Sequence, residues 1–208
     1  MHYSSARRSL ALLLALLSLS CQREVSVEQP ERLSDAEKAS RDAAVLEVLL
    51  LDVLTMPESP VEPSGAATKR LLFSTDPSVS KIGTSEILEF DDREAFARLS
   101  KTQLARVREA AEQLVERVNR NDGVKTFTPK DARLHLYTRQ EEELQRKSTV
   151  GFGPQVFRCV GPGYSHDGRV AIVCLSFGWS IHSGRGTYIL TKTGSDWTVL
   201  LKDFQFFV

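Results

Sequence analysis

The C-terminal stretch GFGPQVFRCVGPGYSHDGRVAIVCLSFGWSIHSGRGTYILTKTGSDWTVLLKDFQFFV (Gly151–Val208) decides the fold. It holds nine of the twelve glycines, ten of the sixteen aromatic residues and both tryptophans of the chain. Glycine permits turns and close approaches of the backbone, and aromatic side chains favour strands with a buried face. We therefore predict that this stretch forms a run of antiparallel strands.

Two hairpins are predicted within this stretch. The segment Val170–Phe177 is apolar along nearly its whole length, which is typical of a strand covered on both faces. It follows the turn signal Ser165–Gly168 and a first strand that Pro162 must kink, because proline offers no N–H to a strand ladder. The second hairpin joins Thr187–Lys192 to Trp197–Lys202.

Two capping boxes indicate where long helices begin. Ser34-Asp35-Ala36-Glu37 precedes a helix predicted at Asp35–Thr55, whose apolar face is broad enough to be wedged against a sheet. Ser100-Lys101-Thr102-Gln103 precedes a second helix, which ends near Asn121. The charged face of this second helix is interpreted as solvated, and it comprises Arg106, Arg108, Glu109, Glu112, Glu116 and Arg117.

These patterns together predict an α+β fold, with an antiparallel sheet of about five or six strands and both long helices packed on one face. The length of the chain favours one domain at 34–208, preceded by a polar tether at 21–33. The strands are expected at 71–75, 132–137, 155–165, 169–177, 187–192 and 197–206.

Residues 1–20 have the pattern of an export signal. Arg7 and Arg8 form a basic start, and Leu10–Leu17 is an apolar segment too short to span a bilayer comfortably. Cys21 follows directly, and this arrangement resembles the lipobox of bacterial lipoproteins, in which the cysteine takes a diacylglycerol. The resemblance implies a lipid anchor, and Gln22 in place of aspartate favours the outer membrane. The alternative is an ordinary secretory peptide followed by an unrelated cysteine.

Charge argues against nucleic acid as a partner. Without residues 1–20 the chain carries 25 basic and 27 acidic side chains, because that segment contains two arginines and no acids. A slightly negative chain does not attract a polyphosphate backbone.

Two spaced patterns in the C-terminal stretch resemble a known group of proteins. They are Ser165-x-Asp167-Gly168-x-x-Ala171-x-Val173 and Gly184-x-Gly186-x-Tyr188-x-Leu190-x-Lys192-x-Gly194-x-x-Trp197. The group consists of small exported bacterial domains, many of them lipoproteins, that have no assigned function. The resemblance supports the fold and the compartment, since the matching residues are mostly turn and packing residues.

Cys159 and Cys174 form a candidate disulfide, because an exported protein can oxidise an even pair. A four-residue loop at Ser165–Gly168 would place the two cysteines opposite each other, whereas a three-residue loop would place them on opposite faces of the sheet. Both registers remain open from the sequence. A zinc site that adds His166 and His182 is disfavoured, since no Cys-x-x-Cys or His-x-x-x-His pair occurs.

The segment Gly178–Gly186 is predicted to be a loop between strands and is the best candidate binding surface. It presents Trp179, Ile181, His182 and Arg185 together, and loops on rigid sheets often carry function. The alternative is that Trp179 and Ile181 only close the end of the sheet.

We predict a binding or interaction module of the bacterial envelope without catalysis, whose partner is an envelope protein or a cell-wall component. The alternative function is a hydrolase that uses His182 and Ser183, with Asp203 as the acid. No Gly-x-Ser-x-Gly elbow and no glycine-rich phosphate loop supports an enzyme, and no pattern predicts a cofactor.

Overall fold

The fold is α+β, with one mixed sheet between two long helices. A computed structural model describes residues 33–56, 71–75, 84–89, 93–124, 127–138, 140–141, 143–144, 156–179 and 182–207. Residues Leu33–Val208 belong to one compact unit. The helices are α1 (Asp35–Thr55), α2 (Thr84–Ile87), α3 (Arg93–Ala97) and α4 (Lys101–Arg120). The strands are β1 (Leu71–Ser74), β2 (Leu134–Leu136), β3 (Val156–Cys159), β4 (Gly163–Tyr164), β5 (Val170–Trp179), β6 (His182–Thr193) and β7 (Asp196–Phe207).

The sheet is mixed rather than antiparallel. Its strand order is β2-β1-β3-β5-β6-β7, and the short β4 also pairs with β5. Strand β1 runs parallel to both β2 and β3, whereas the pairs from β3 to β7 are antiparallel. The prediction of a wholly antiparallel sheet is therefore wrong at β1. The chain leaves β1, passes through α2, α3 and α4 and returns to β2, and such a crossover produces parallel neighbours.

The two long helices cover opposite faces of the sheet, so the prediction of both on one face is wrong. Successive side chains of a strand point to opposite faces, and β5 is buried on both. Its residues Ala171, Val173 and Leu175 share a core with Val45, Leu46 and Leu49 of α1. Its residues Val170, Ile172 and Cys174 share a second core with Val107, Ala110 and Ala111 of α4. The burial of β5 on both faces agrees with the apolar run in its sequence.

Both predicted capping boxes are confirmed. The backbone N–H of Glu37 donates to Ser34 Oγ, and the Glu37 carboxylate accepts the Ser34 N–H at 2.8 Å. Ser100 and Gln103 exchange the same two bonds at the start of α4. Asn121 ends α4 in the left-handed region at φ 54°. Sequence signals at helix termini thus locate both long helices to within a residue.

The kink at Pro162 decides the register of the cysteines. It divides the predicted strand 155–165 into β3 and β4, and Cys159 lies opposite Leu175 while Tyr164 lies opposite Ala171. Cys159 therefore belongs to the core under α1 and Cys174 to the core under α4. Both are buried free thiols, so the candidate disulfide does not form in this structure. Burial raises the pKa of Cys159 to about 12 and that of Cys174 to about 11.

The segment predicted as the loop Gly178–Gly186 belongs almost wholly to a hairpin. Strands β5 and β6 pair up to Trp179 and His182, so only residues 180 and 181 separate them. Gly184 and Gly186 do not form a flexible loop. A Cβ at either would collide with the ring of Phe177 or Phe204, and these rings pack 6.0 Å apart across β6. The glycines make room for aromatic packing from both neighbouring strands.

Strand β4 lies directly against the backbone of α4. A Cβ built on Gly163 would meet the carbonyl oxygen of Ala110 and, at 2.5 Å, the backbone nitrogen of Leu114. Only glycine permits this approach, since backbone atoms cannot turn aside as a flexible side chain can.

Within the described ranges, none of the helices combines the length and the apolar content that crossing a bilayer demands.

We expect Gly163→Ala to lower the free energy of unfolding by more than about 3 kcal/mol, because α4 must move away from the sheet. Gly194→Ala is the control. Gly194 has a φ of +61°, but a methyl group added there would meet no other atom within 4 Å, so only backbone strain of about 1–2 kcal/mol applies. Urea unfolding measures both variants. Equal losses would contradict the close contact between β4 and α4.

We expect both core thiols to be alkylated when the unreduced protein is denatured in the presence of iodoacetamide. Mass spectrometry of the peptides that contain Cys159 and Cys174 reads out the result. The physical reason is that the two sulfurs occupy opposite faces of the sheet, beyond the reach of a disulfide. A peptide pair that is linked until a reductant is added would show that the register is wrong.

Candidate functional site

A buried aspartate interrupts the apolar inner face of α1. Asp42 is 4% exposed and accepts three hydrogen bonds. Its Oδ1 accepts from Arg117 Nη1 at 3.2 Å and from the Tyr164 hydroxyl at 2.9 Å, and its Oδ2 accepts from Arg117 Nη2 at 2.8 Å. A buried carboxylate is tolerated only when such partners replace water. Asp42 therefore joins α1 to both α4 and β4.

Arg117 is the partner from α4, and its side chain is 16% exposed. Its Nη1 also donates to the Pro162 carbonyl at 2.7 Å, and its Nε donates to the Asp122 carbonyl at 3.1 Å. Burial lowers the pKa of Arg117, but the hydrogen bond and the charge of Asp42 more than offset this and raise it. The prediction that Arg117 belongs to a solvated helix face is wrong, because the side chain reaches the kink before β4.

Tyr164 completes this network from the sheet. Its N–H donates to Gln113 Oε1 of α4, and its ring lies 6.0 Å from that of Trp197. Burial and the neighbouring Asp42 carboxylate raise the pKa of the phenol well above its usual range, so the hydroxyl stays protonated and keeps donating. Arg41 lies over the ring, with its Cζ 3.7 Å from the ring centroid.

A cleft of about 490 Å³ lies above this network, between the N-terminal half of α1 and the C-terminal half of α4. Its charged lining contains three ion pairs, namely Asp42 with Arg117, Lys38 with Asp35 at 3.5 Å, and Glu116 with Arg120 at 3.3 Å. Two charged lining residues, Arg41 and Asp122, have no ion pair with any residue that the structure describes.

Arg41 is the least satisfied polar group of the cleft. Its Nε is buried and has no hydrogen-bond partner among the described residues, while its guanidinium stacks on Tyr164. A cation over an aromatic face gains about 0.5–2 kcal/mol, but a buried donor without a partner costs about 1–3 kcal/mol. The stacking holds the guanidinium in place beside the cleft, which Arg41 also lines.

The residues predicted for a binding loop lie far from this cleft. Tyr164 pairs with Ala171 near the start of β5, whereas Trp179 ends that strand eight residues further along. At about 3.3 Å per residue the two positions are roughly 26 Å apart. The backbones of Trp179 and His182 and the half-buried Arg185 belong to the hairpin. Ile181 and the side chains of Trp179 and His182 lie outside the described residues, as does Cys21.

Strand register separates Asp203 from Ser183, two of the residues named for the hydrolase alternative. Asp203 pairs with Thr187, and Ser183 lies four residues along β6 from that position. This separation is about 13 Å, too far for a nucleophile, base and acid to act together. In the described part of the chain, no three side chains of His, Cys, Asp or Glu come close enough to hold a metal ion.

Comparison of the chain with models of protein families, with curated proteins and with solved structures gave no match.

The sequence patterns did not predict the cleft, although the sequence of α1 contains one indication of the buried network beneath it. Asp42 and Asp52 share the helical face of Val45 and Leu49, and an acid on an apolar face indicates a buried polar partner.

We expect Asp42→Ala to lower the free energy of unfolding by about 3–5 kcal/mol, because it leaves the Arg117 guanidinium buried without its carboxylate. The double variant Asp42→Ala/Arg117→Met should lose far less free energy of unfolding than the two single variants lose together. A double-mutant cycle by urea unfolding measures the coupling. The control cycle uses Glu116 and Arg120, whose side chains are 63% and 73% exposed and whose coupling should stay below about 1 kcal/mol. Additive effects at Asp42 and Arg117 would contradict a buried ion pair.

Proposed function

We propose that this protein is a binding module of the bacterial envelope, held at a membrane by a lipid on Cys21, and that it captures its ligand through an anionic group at Arg41. One observation carries the proposal. Arg41 lines a cleft that is open to solutes, and its guanidinium has no ion pair with a described residue. An oxyanion beside it would supply the charged partner that the described residues do not.

The chemistry of arginine supports an oxyanion as the bound group. A guanidinium presents parallel N–H donors that match the two oxygens of a carboxylate or phosphate. Stacking on Tyr164 restricts the plane of the Arg41 guanidinium, so less freedom is lost when an anion binds. The volume of about 490 Å³ suits a small ligand or the end of a larger one.

The floor of the cleft supports binding without rearrangement. Tyr164 is held by Asp42 of α1 and by Gln113 of α4, and Gly163 before it touches the α4 backbone. A surface fixed from three sides loses little conformational entropy when it is occupied.

The position of the cleft in the chain supports an envelope ligand. Asp35 and Ala36 line the cleft at the start of α1, and Asp35 lies fourteen positions after Cys21. An extended chain of that length spans at most about 50 Å, so a lipid on Cys21 would keep the cleft close to a membrane surface. The resemblance to exported lipoprotein domains agrees with this location. A cell-wall component or an envelope protein with an exposed carboxylate or phosphate is the kind of ligand within reach.

The lining favours binding over catalysis. The described residues that line the cleft include no serine, threonine, cysteine or histidine, the usual nucleophiles and bases of hydrolases. The carboxylate of Asp42 is already occupied by Arg117 and Tyr164.

We expect inorganic phosphate and N-acetyl-alanyl-alanine, each of which offers an oxyanion, to bind the full-length protein and to bind Arg41→Gln at least about tenfold more weakly. Loss of a charged hydrogen-bond partner has an effect of this size. Isothermal titration calorimetry measures the affinities.

Arg108→Gln is the matched control, because Arg108 is an exposed arginine of α4 that has no ion pair with a described residue and lies outside the cleft. It should bind like the wild type. If both substitutions weaken binding equally, the effect is due to the net charge of the protein and not to a site at Arg41. If Arg41→Gln binds the probes as tightly as the wild type does, the proposed site is wrong.

A further inference from the structure

We infer that the ligand of this cleft is a zwitterion, namely a short peptide with a free ammonium and a free carboxylate. This inference rests on the proposed function for its anionic half. Its cationic half rests on a separate observation, the carboxylate of Asp122, which lines the same cleft and has no ion pair with a described residue.

The two unpaired charges are held apart by a fixed series of contacts. Arg41 stacks on Tyr164, and the Tyr164 hydroxyl donates to Asp42. Asp42 pairs with Arg117, whose Nε donates to the backbone carbonyl of Asp122. The charges of Asp42 and Arg117 balance each other, whereas Arg41 and Asp122 have no ion pair with a described residue, and the charge of Asp122 also acts on Arg117. A ligand with a single charge would match only one of these two groups.

The remaining charges of the lining do not compete with these two groups. Lys38 and Asp35 are 56% and 89% exposed, and the pair formed by Arg120 and Glu116 is exposed as well. Pairs of this kind are solvated and weak. Asp122 follows the C-terminus of α4, where the helix dipole adds negative potential, and the first turn of α1 adds positive potential to the same cleft.

The separation also favours a peptide over a free amino acid. The contacts that connect the two groups run through a tyrosine ring and a guanidinium–carboxylate pair, so the inferred ligand carries its two charges on different residues. The charges of a single amino acid share one Cα atom, whereas each added residue of an extended peptide moves them apart by about 3.3–3.6 Å. A peptide of a few residues with small side chains also suits a cleft of about 490 Å³.

The test compares three probes that differ only in their end groups. They are tri-alanine, N-acetyl-tri-alanine, which lacks the ammonium, and tri-alanine amide, which lacks the carboxylate. We expect tri-alanine to bind the full-length protein at least about tenfold more tightly than either derivative, because each derivative loses one charged contact. Isothermal titration calorimetry at neutral pH gives the three affinities.

Two substitutions test which residue of the protein binds the ammonium of the peptide and which binds its carboxylate. Asp122→Asn should weaken tri-alanine about tenfold and leave N-acetyl-tri-alanine unchanged. Arg41→Gln should weaken both of these peptides. Glu112→Gln is the matched control for Asp122, since Glu112 is an exposed carboxylate of α4 outside the cleft. Asp122 is itself exposed, and Arg117 Nε donates to its backbone carbonyl, so Asp122→Asn keeps this hydrogen bond and removes the charge that also raises the pKa of Arg117.

The outcomes separate this inference from the proposed function. If N-acetyl-tri-alanine binds as tightly as tri-alanine, or if phosphate binds through Arg41 while tri-alanine does not bind, the zwitterion is wrong and the anion site stands. If Arg41→Gln alters the binding of no anionic probe, both proposals fail. A tenfold preference for tri-alanine that Asp122→Asn abolishes supports the inference.

Discussion

The structure depends on one buried ion pair, that between Asp42 and Arg117, which links the two helical layers past the end of the sheet. Burying two charges is unfavourable unless their hydrogen-bonding groups are satisfied. Here the carboxylate receives three hydrogen bonds, and the guanidinium also donates to the Pro162 carbonyl. Because the helices lie on opposite faces, no apolar contact through the sheet could fix their relative position so specifically.

The same interaction explains why a cleft exists at this place. Tyr164 donates to Asp42, and at the other end of α1 Tyr188 donates to Asp52 at 2.8 Å, so the helix is attached to the sheet at two points ten residues apart. The intervening apolar residues need no polar partner. Beside the ion pair, polar side chains of α1 and α4 line an open cleft of about 490 Å³. The charges of Arg41 and Asp122 in its lining are the basis of the binding proposals.

Local signals predict the elements well and their arrangement poorly. Capping boxes at Ser34 and Ser100 locate α1 and α4, since the hydrogen bonds that start a helix involve neighbours in the chain. The apolar run of β5 indicates a strand buried on both faces, yet the sequence offers no sign that the two helices take one face each. The glycines at 184 and 186 suggest a loop in the sequence, because the aromatic rings that require them come from β5 and β7. The residues predicted for a binding loop belong to the hairpin of β5 and β6, away from the cleft, and their role in binding stays a prediction.

The sequence by itself determined the α+β class, the bounds of the long helices, the kink at Pro162 and the apolar strands, all of which follow from residues within one or two turns of each other. Only the tertiary structure decided the parallel pairing of β1, the separation of Cys159 from Cys174 and the burial of Arg117. These features depend on contacts between residues far apart in the chain. Asp42 and Arg117 are 75 positions apart, and each alone resembles an ordinary charged residue of a helix surface. They form a buried ion pair beside β4 only because the fold brings the two helices together there.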